Sequence, residues 1–141
     1  MILLDTNVLS ELMRQEPDRN VIQWMDAQPA SDLFICVVTR AEITLGLALL
    51  PEGRRRSDLE QLADEMFSGF ANRCLPFDGD CVPHYANIVV SRRRAGRPIT
   101  TEDAQIAAIA MRHNFILATR NRRDFEGIDA LGLLDPWTGS T

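Results

Sequence analysis

Short runs of consecutive apolar residues recur along the chain, separated by longer segments in which apolar and polar residues alternate with helical spacing. The clearest runs are residues 2–4, 33–38, 115–118 and 131–134, and a weaker one lies at 73–77. Short apolar runs bounded by polar turn residues are typical of strands buried on both faces of a parallel sheet. The pattern therefore predicts a three-layer α/β fold with a mostly parallel sheet of about five strands.

Helices are predicted between these runs. They cover about residues 6–13, 21–28, 39–50, 57–70, 79–94 and 102–113. Prolines and glycines between the segments, such as Pro17, Pro51 and Gly53, mark the breaks. A chain of 141 residues is the usual size of one domain, so residues 1–141 are expected to form a single domain.

Charge and cysteine content narrow the class of protein. The formal net charge is −5, from 20 acidic residues against 15 basic ones, all of which are arginine. This balance excludes a protein that coats nucleic acid through bulk charge. Three cysteines without a close C-x-x-C pair indicate neither a disulfide framework nor a zinc site. The acid at position 5 comes too early for a signal peptide, and no apolar run would span a bilayer, so we expect a cytoplasmic protein without a membrane role.

Polar residues follow several of the predicted strands. Asp5, Thr119 and Asn121 come just after apolar runs, and Glu42 and Asp103 lie in the first turns of predicted helices. In an open parallel sheet, the carboxyl ends of the strands and the helix starts that follow them share one edge, where ligands bind. We therefore expect three carboxylates and an amide at a single site.

Each acid also has a purely structural interpretation. Asp5 could cap a helix, and residues 39–42 and 100–103 resemble capping boxes. Taken alone, the cap is the simpler explanation of any one acid. Three carboxylates brought close together, however, repel one another and must protonate or bind a cation. No histidine or lysine lies beside them, so the oxygen donors suit Mg²⁺, or Mn²⁺ in its place, and hence phosphoryl-transfer chemistry.

Five sequence strings carry a family resemblance. They are LLDTNVLSEL, TRAEITLGL, TTEDAQIAAIA, LATRNRRDFEG and the terminal DPW, in this order over nearly the whole chain. Together they resemble the PIN domain, and within it the VapC-type toxins of toxin–antitoxin operons, most closely the FitB-like branch. The resemblance implies a PIN-like fold and a magnesium-dependent endoribonuclease. It also implies a cognate VapB/FitA-like antitoxin, a homodimer, and a larger assembly that binds operator DNA through the antitoxin.

The resemblance assigns roles to residues position by position. The family's polar positions fall on Asp5, Glu42, Asp103 and Asn121. Asp5 and Asp103 are the expected direct metal ligands, and Glu42 is expected to position water or a second ion. Thr6, Asn7 and Thr119 are the expected supporting residues.

Asn121 departs from the pattern, because many PIN nucleases have an aspartate at this position. An amide oxygen can bind a metal but carries no charge. Asp124 could supply that charge, or it could simply cap a short turn. We therefore predict one well-occupied metal site in the resting protein, with either residue at the fourth position.

Seven of the arginines lie in two runs. The runs are Arg54, Arg55 and Arg56, and then Arg92, Arg93, Arg94 and Arg97. Such runs are more often a solvated face than a binding site, but arginine forks also bind phosphates, and a local patch can act despite an acidic total. The second run precedes Asp103 in the chain, so its four arginines are the predicted RNA contacts.

Two other functions compete with the nuclease. A magnesium-dependent phosphatase or phospho-acceptor domain also opens on an apolar strand ending in aspartate. It is disfavoured because LLDTN lacks a second aspartate two residues after Asp5 and the chain has no lysine. The other alternative is a catalytically weak PIN-like co-repressor that dimerises and positions a DNA-binding antitoxin. The presence of Asp5, Glu42 and Asp103 favours activity over this role.

Overall fold

A parallel sheet forms the centre of the molecule. The computed structural model describes residues 1–139. Its strands are β1 (Ile2–Leu4), β2 (Leu33–Cys36), β3 (Cys74–Leu75), β4 (Ile116–Ala118) and β5 (Leu133–Leu134). All of them pair in parallel, in the order β3-β2-β1-β4-β5. The predicted parallel sheet of about five strands is confirmed, and the central strand β1 ends between β2 and β4.

Helices cover both faces of this sheet. They are α1 (Thr6–Leu12), α2 (Arg19–Ala27), α3 (Val37–Ala48), α4 (Arg54–Gly69), α5 (Val82–Arg94) and α6 (Thr101–His113). Side chains of β1 alternate between two cores: Ile2 and Leu4 pack with α1 to α4, and Leu3 packs with α5 and α6. This alternation gives the three layers that the sequence predicts. Within residues 1–139, no helix has the length and apolar character needed to cross a membrane.

Helices α2, α3 and α4 begin two or three residues earlier than predicted, and α2 begins at Arg19. Helix α3 begins at Val37, so Thr39 lies inside the helix and is fully buried. The interpretation of residues 39–42 as a capping box is therefore wrong, because the N-cap position belongs to Cys36. Helix α4 begins at Arg54, directly after Gly53, whose φ of 153° favours glycine. The first arginine run thus forms the first turn of α4.

The start of α6 is fixed at the carboxyl edge of the sheet. Thr100 is its N-cap, and the hydroxyl oxygen of Thr100 accepts a hydrogen bond of 3.2 Å from the backbone N–H of Asp103. The following turns are buried through alanines such as Ala104, Ala107 and Ala108, whose small side chains let the helix approach the sheet closely. Asp103 is therefore presented by a well-packed helix.

Candidate active site

Asp5 stands at the carboxyl end of β1, where it is only 5% exposed. Its backbone N–H continues the sheet by donating to Ala118. One carboxylate oxygen accepts from the Thr6 N–H at 2.8 Å, and the other accepts from the Thr119 hydroxyl at 2.7 Å and from the Asn7 amide at 3.2 Å. Three donors thus fix the orientation of this carboxylate.

Thr119 and Asn7 also join the ends of β1 and β4 to each other. The side-chain amide nitrogen of Asn7 donates to the Thr119 hydroxyl oxygen at 3.2 Å, and the side-chain oxygen Oδ1 of Asn7 accepts from the Arg120 N–H at 3.3 Å. The Thr119 hydroxyl oxygen also accepts from the Asn121 N–H at 3.1 Å. Thr119 itself is fully buried, so its hydroxyl is shielded from water, whereas the bond between Arg120 and Asn7 is exposed. Thr6, Asn7 and Thr119 each contact the Asp5 carboxylate directly, and their supporting role in catalysis stays a prediction.

Glu42 reaches the same edge from α3. The Thr6 hydroxyl donates to Glu42 Oε1 at 2.6 Å, and the Thr6 and Thr39 hydroxyl oxygens lie 3.1 Å apart. Thr6 therefore connects two acids, because its backbone binds Asp5 and its side chain binds Glu42. The contact of Thr39 with the site was missed from sequence, because Thr39 was interpreted as a helix cap and in the structure lies inside α3.

Among the acids of the site, Asp103 has the largest shift in pKa. Its pKa is raised from the ordinary value of 3.8 to about 6, chiefly because burial disfavours the charged form. The negative charge of Asp5 adds to this effect, followed by those of Asp124 and Glu42, and a hydrogen bond with Thr100 opposes it. Each acid named here comes from a different segment of the chain.

The pKa of Asp5 is raised as well. Burial is the main cause, and hydrogen bonds from Thr119 and Thr6 oppose it. Charges on Glu42 and Asp124 push in the same direction as burial. Asp5, Glu42, Asp103 and Asp124 therefore form one group of interacting like charges, which we call the acidic cluster.

Asn121 and Asp124 occupy the turn after β4. Asn121 precedes a short 3₁₀ helix, Arg122–Asp124, and its side chain is exposed. The Asp124 carboxylate is exposed too, yet its charge raises the pKa of both Asp5 and Asp103. This coupling favours Asp124 over Asn121 as the source of negative charge at the fourth position.

The oxygen donors of the site suit a hard cation that keeps most of its water ligands, rather than an ion whose ligands all come from the protein. In the part of the chain that the structure describes, no group of three or more His, Cys, Asp or Glu side chains forms a ready metal cage. Mg²⁺ binds through one or two carboxylates and keeps several waters, so it does not require such a cage. Like charges with raised pKa values, supplied only by oxygen donors, are the environment that a cation would relieve.

A groove of about 980 Å³ leads away from the acidic cluster between α1, α3 and α4. Thr6 and Glu42 line its inner end. Met13, Ile43, Leu47, Leu59 and Leu62 give it apolar walls, and Arg54 and Arg55 lie along it. The first arginine run therefore borders a groove that opens onto the site.

The second arginine run divides into exposed and buried members. Arg93, Arg94 and Arg97 are exposed, as a surface that binds RNA requires. Arg92 is only 5% exposed, so the expectation that it lies on that surface is wrong. A signal was present in the sequence, because Arg92 follows the buried Ile88 by four residues and shares its helix face.

Comparisons with known proteins agree with this geometry. The family profile of the PIN domain matches residues 2–131. "Plasmid stability protein StbB" of Pseudomonas syringae pv. tomato is 44% identical over 97% of this chain and 99% of its own. "VapC ribonuclease Y4jK" of Sinorhizobium fredii is 42% identical over 97% and 98%. "Toxin FitB" of Neisseria gonorrhoeae is 38% identical over 97% and 99%.

The fold has a near match among solved structures. A chain in the "Structure of FitAB bound to IR36 DNA fragment" superposes with a TM-score of 0.90 at 37% identity. The match covers 97% of this chain and 96% of the other. The similarity therefore extends over the whole three-layer architecture and includes the segments that carry the acidic cluster.

Proposed function

The chain belongs to the PIN-domain family, and from this premise we propose that it is a magnesium-dependent endoribonuclease that acts as the toxin of a toxin–antitoxin pair. The acidic cluster is the observation that carries the proposal. Burial and the neighbouring acids raise the pKa of Asp5 and Asp103, so a bound cation would stabilise the ionised cluster. Relatives named VapC ribonuclease and Toxin FitB support the assignment of the reaction and the biological role.

In this proposal Asp5 and Asp103 hold Mg²⁺, or Mn²⁺ in its place. The ion, when bound, supplies Lewis-acid stabilisation of the phosphate and lowers the pKa of water. Thr119, Asn7 and the Thr6 N–H keep the Asp5 carboxylate in one orientation. This preorganisation means that the ligand needs little rearrangement when RNA arrives.

Glu42 is the proposed proton acceptor. The Thr6 hydroxyl holds one of its oxygens at 2.6 Å, and the other oxygen would take the proton of the attacking water. The water oxygen forms a bond to phosphorus, the bond from phosphorus to the leaving ribose oxygen breaks, and that oxygen takes a proton from solvent water. The exposed guanidinium groups of Arg93, Arg94 and Arg97 would bind phosphates of the flanking RNA.

The proposed inhibitor is a VapB/FitA-like antitoxin. Its bound segment would occupy the groove between α1, α3 and α4, whose inner end reaches Thr6 and Glu42. A chain in this groove would block the acidic cluster directly. The proposed assembly is a homodimer of the toxin whose antitoxin contacts operator DNA, and the FitAB complex bound to a DNA fragment supports the contact with DNA.

Expression of the chain alone, beside an Asp5→Asn variant, tests the proposal. The parent should arrest growth and, once purified, cleave RNA with Mg²⁺, and Asp5→Asn should do neither. Asp26→Asn, an exposed acid on α2, serves as the matched control and should behave like the parent. Equal harmlessness of all three proteins, with operator binding retained in the antitoxin complex, would instead support the co-repressor.

A further inference from the structure

Arg92 is a buried arginine whose partners are main-chain carbonyl groups. It lies at the end of α5, and its Nε donates to the carbonyl oxygen of Arg97 at 2.6 Å. Its Nη1 donates to the carbonyl oxygens of Asp124 and Glu126 at 3.0 and 2.9 Å. A buried charge requires such partners, because leaving it unbonded is costly. These bonds fix the course of the backbone.

The three carbonyls belong to two segments that carry acids of the cluster. Arg97 lies in the connection from α5 to α6, which leads to Thr100 and Asp103. Residues 121–127, here called the Asp124 loop, supply the other two carbonyls. Arg92 is thus a physical connection between the segment before Asp103 and the loop that contains Asp124.

Arg97 strengthens this connection from the outside. Its Nη2 donates to the carbonyl oxygen of Arg123 at 3.2 Å and lies 3.7 Å from a carboxylate oxygen of Glu126. Its own backbone N–H donates to the Arg92 carbonyl at 2.9 Å. The Asp124 loop is therefore held by two arginines, and the charge of Asp124 interacts with the like charges of Asp5 and Asp103.

We propose that Arg92 is a positioning residue that holds the Asp124 loop against the segment leading to α6 and so keeps the Asp124 carboxylate in the acidic cluster. Asp124 would otherwise move away, because its charge is repelled by Asp5 and Asp103 and the 3₁₀ turn that carries it is short. The contribution of Arg92 and Asp124 to Mg²⁺ binding rests on the proposed function. The connection of the loop to α5 does not depend on it.

Arg92→Met, Arg92→Lys and Arg97→Ala test the proposal, with Arg73→Met as the matched control. Arg73 also donates to two carbonyls, those of Leu33 and Gly69, but on the β3 side of the sheet. The first measurement is hydrogen exchange at the backbone N–H groups of Asp124 and Phe125, which bond to Asn121 and Arg122. The second is the Mg²⁺ dissociation constant, measured by calorimetry without RNA.

In Arg92→Met we expect exchange at both N–H groups to accelerate at least about tenfold and the Mg²⁺ dissociation constant to rise about 10–100-fold, as for lost supporting contacts of a metal ligand. Arg92→Lys should give an intermediate result, because one ammonium cannot span three carbonyls. Arg97→Ala should change both quantities less, in the same direction. Arg73→Met should lower the melting temperature without moving either quantity.

Arg97→Ala provides the test if Arg92→Met does not fold, because Arg97 is exposed and its replacement should leave the fold intact. The proposal would be overturned if a folded Arg92 variant and Arg97→Ala both showed the parent's rate of hydrogen exchange in the Asp124 loop. So would an equal acceleration in Arg73→Met. A parent that neither binds Mg²⁺ nor cleaves RNA would refute the proposed function, and the exchange rates would still decide the role of Arg92.

Discussion

Asp103→Asn should stabilise the metal-free protein, although it removes a proposed metal ligand. The folded protein raises the pKa of Asp103 to about 6, so near neutral pH it holds an ionised carboxylate in surroundings that oppose the charge. Asparagine keeps the shape of the side chain and removes the charge. The variant should therefore resist urea better than the parent when EDTA is present.

The size of this effect follows from the pKa. A pKa of about 6 against the ordinary value of 3.8 corresponds to at most ~3 kcal/mol, at ~1.36 kcal/mol for each pKa unit. Asp103 is only half-buried, so solvent screens part of the effect, and we expect ~1–2 kcal/mol. For an acid whose pKa is higher in the folded state, the stabilising contribution is complete below the unfolded pKa and is lost as the pH rises through the folded one. The advantage of Asp103→Asn should thus be largest near pH 8 and disappear toward pH 4.

Urea unfolding of both proteins, at several pH values with EDTA, measures this difference directly. Mg²⁺ at one hundred times its dissociation constant should reverse the order, because at that concentration the ion stabilises a folded state that binds it by about 2.7 kcal/mol. Glu102→Gln is the control, since it removes an exposed charge from the same helical turn. A parent at least as stable as Asp103→Asn near pH 8, or a difference that does not change with pH, would refute the reasoning.

Three further outcomes are expected. Thr119→Val should lower the free energy of unfolding by ~1–3 kcal/mol, because the buried Asp5 carboxylate loses its shortest hydrogen bond. It should also raise the Asp5 pKa and the pH at which activity sets in. Thr119→Ser should retain most of the stability and of the parent's pH dependence. Arg93→Ala should weaken RNA binding and reduce the salt slope by about one, and an unchanged slope would argue against a phosphate contact. Calorimetric titration with Mg²⁺ should show one tight site without RNA, and two equally tight sites would contradict this.

The fold could be read from sequence because its strands are short, wholly apolar runs. Residues 2–4 of β1 are buried on both faces, so no polar alternation obscures the strand. The boundary between a strand and a helix was harder to predict where one apolar run continues from the strand into the helix. The apolar run at 33–38 continues past the strand, because Val37 and Val38 belong to the first turn of α3.

The place of the acids was predictable, but the role of Arg92 was not. Asp5, Glu42 and Asp103 follow from the rule that parallel strands present their carboxyl ends at one edge. Arg92 stands in a run of three arginines, and composition alone treats such a run as surface. Two of its partners are main-chain carbonyl groups 32 and 34 residues further along the chain. Every residue has such a carbonyl, so the sequence does not indicate which ones Arg92 binds.

The structural and functional interpretations of the acids turn out to be compatible. Asp5 does cap α1, because its carboxylate accepts the Thr6 N–H, and the start of α6 is capped through Thr100 and the Asp103 N–H. The same bond from Thr6 opposes the rise that burial causes in the pKa of Asp5, and so reduces the cost of ionising this buried acid. Helix starts are thus well suited to bring like charges together: their N–H donors offset part of the repulsion, and the part that remains favours a cation.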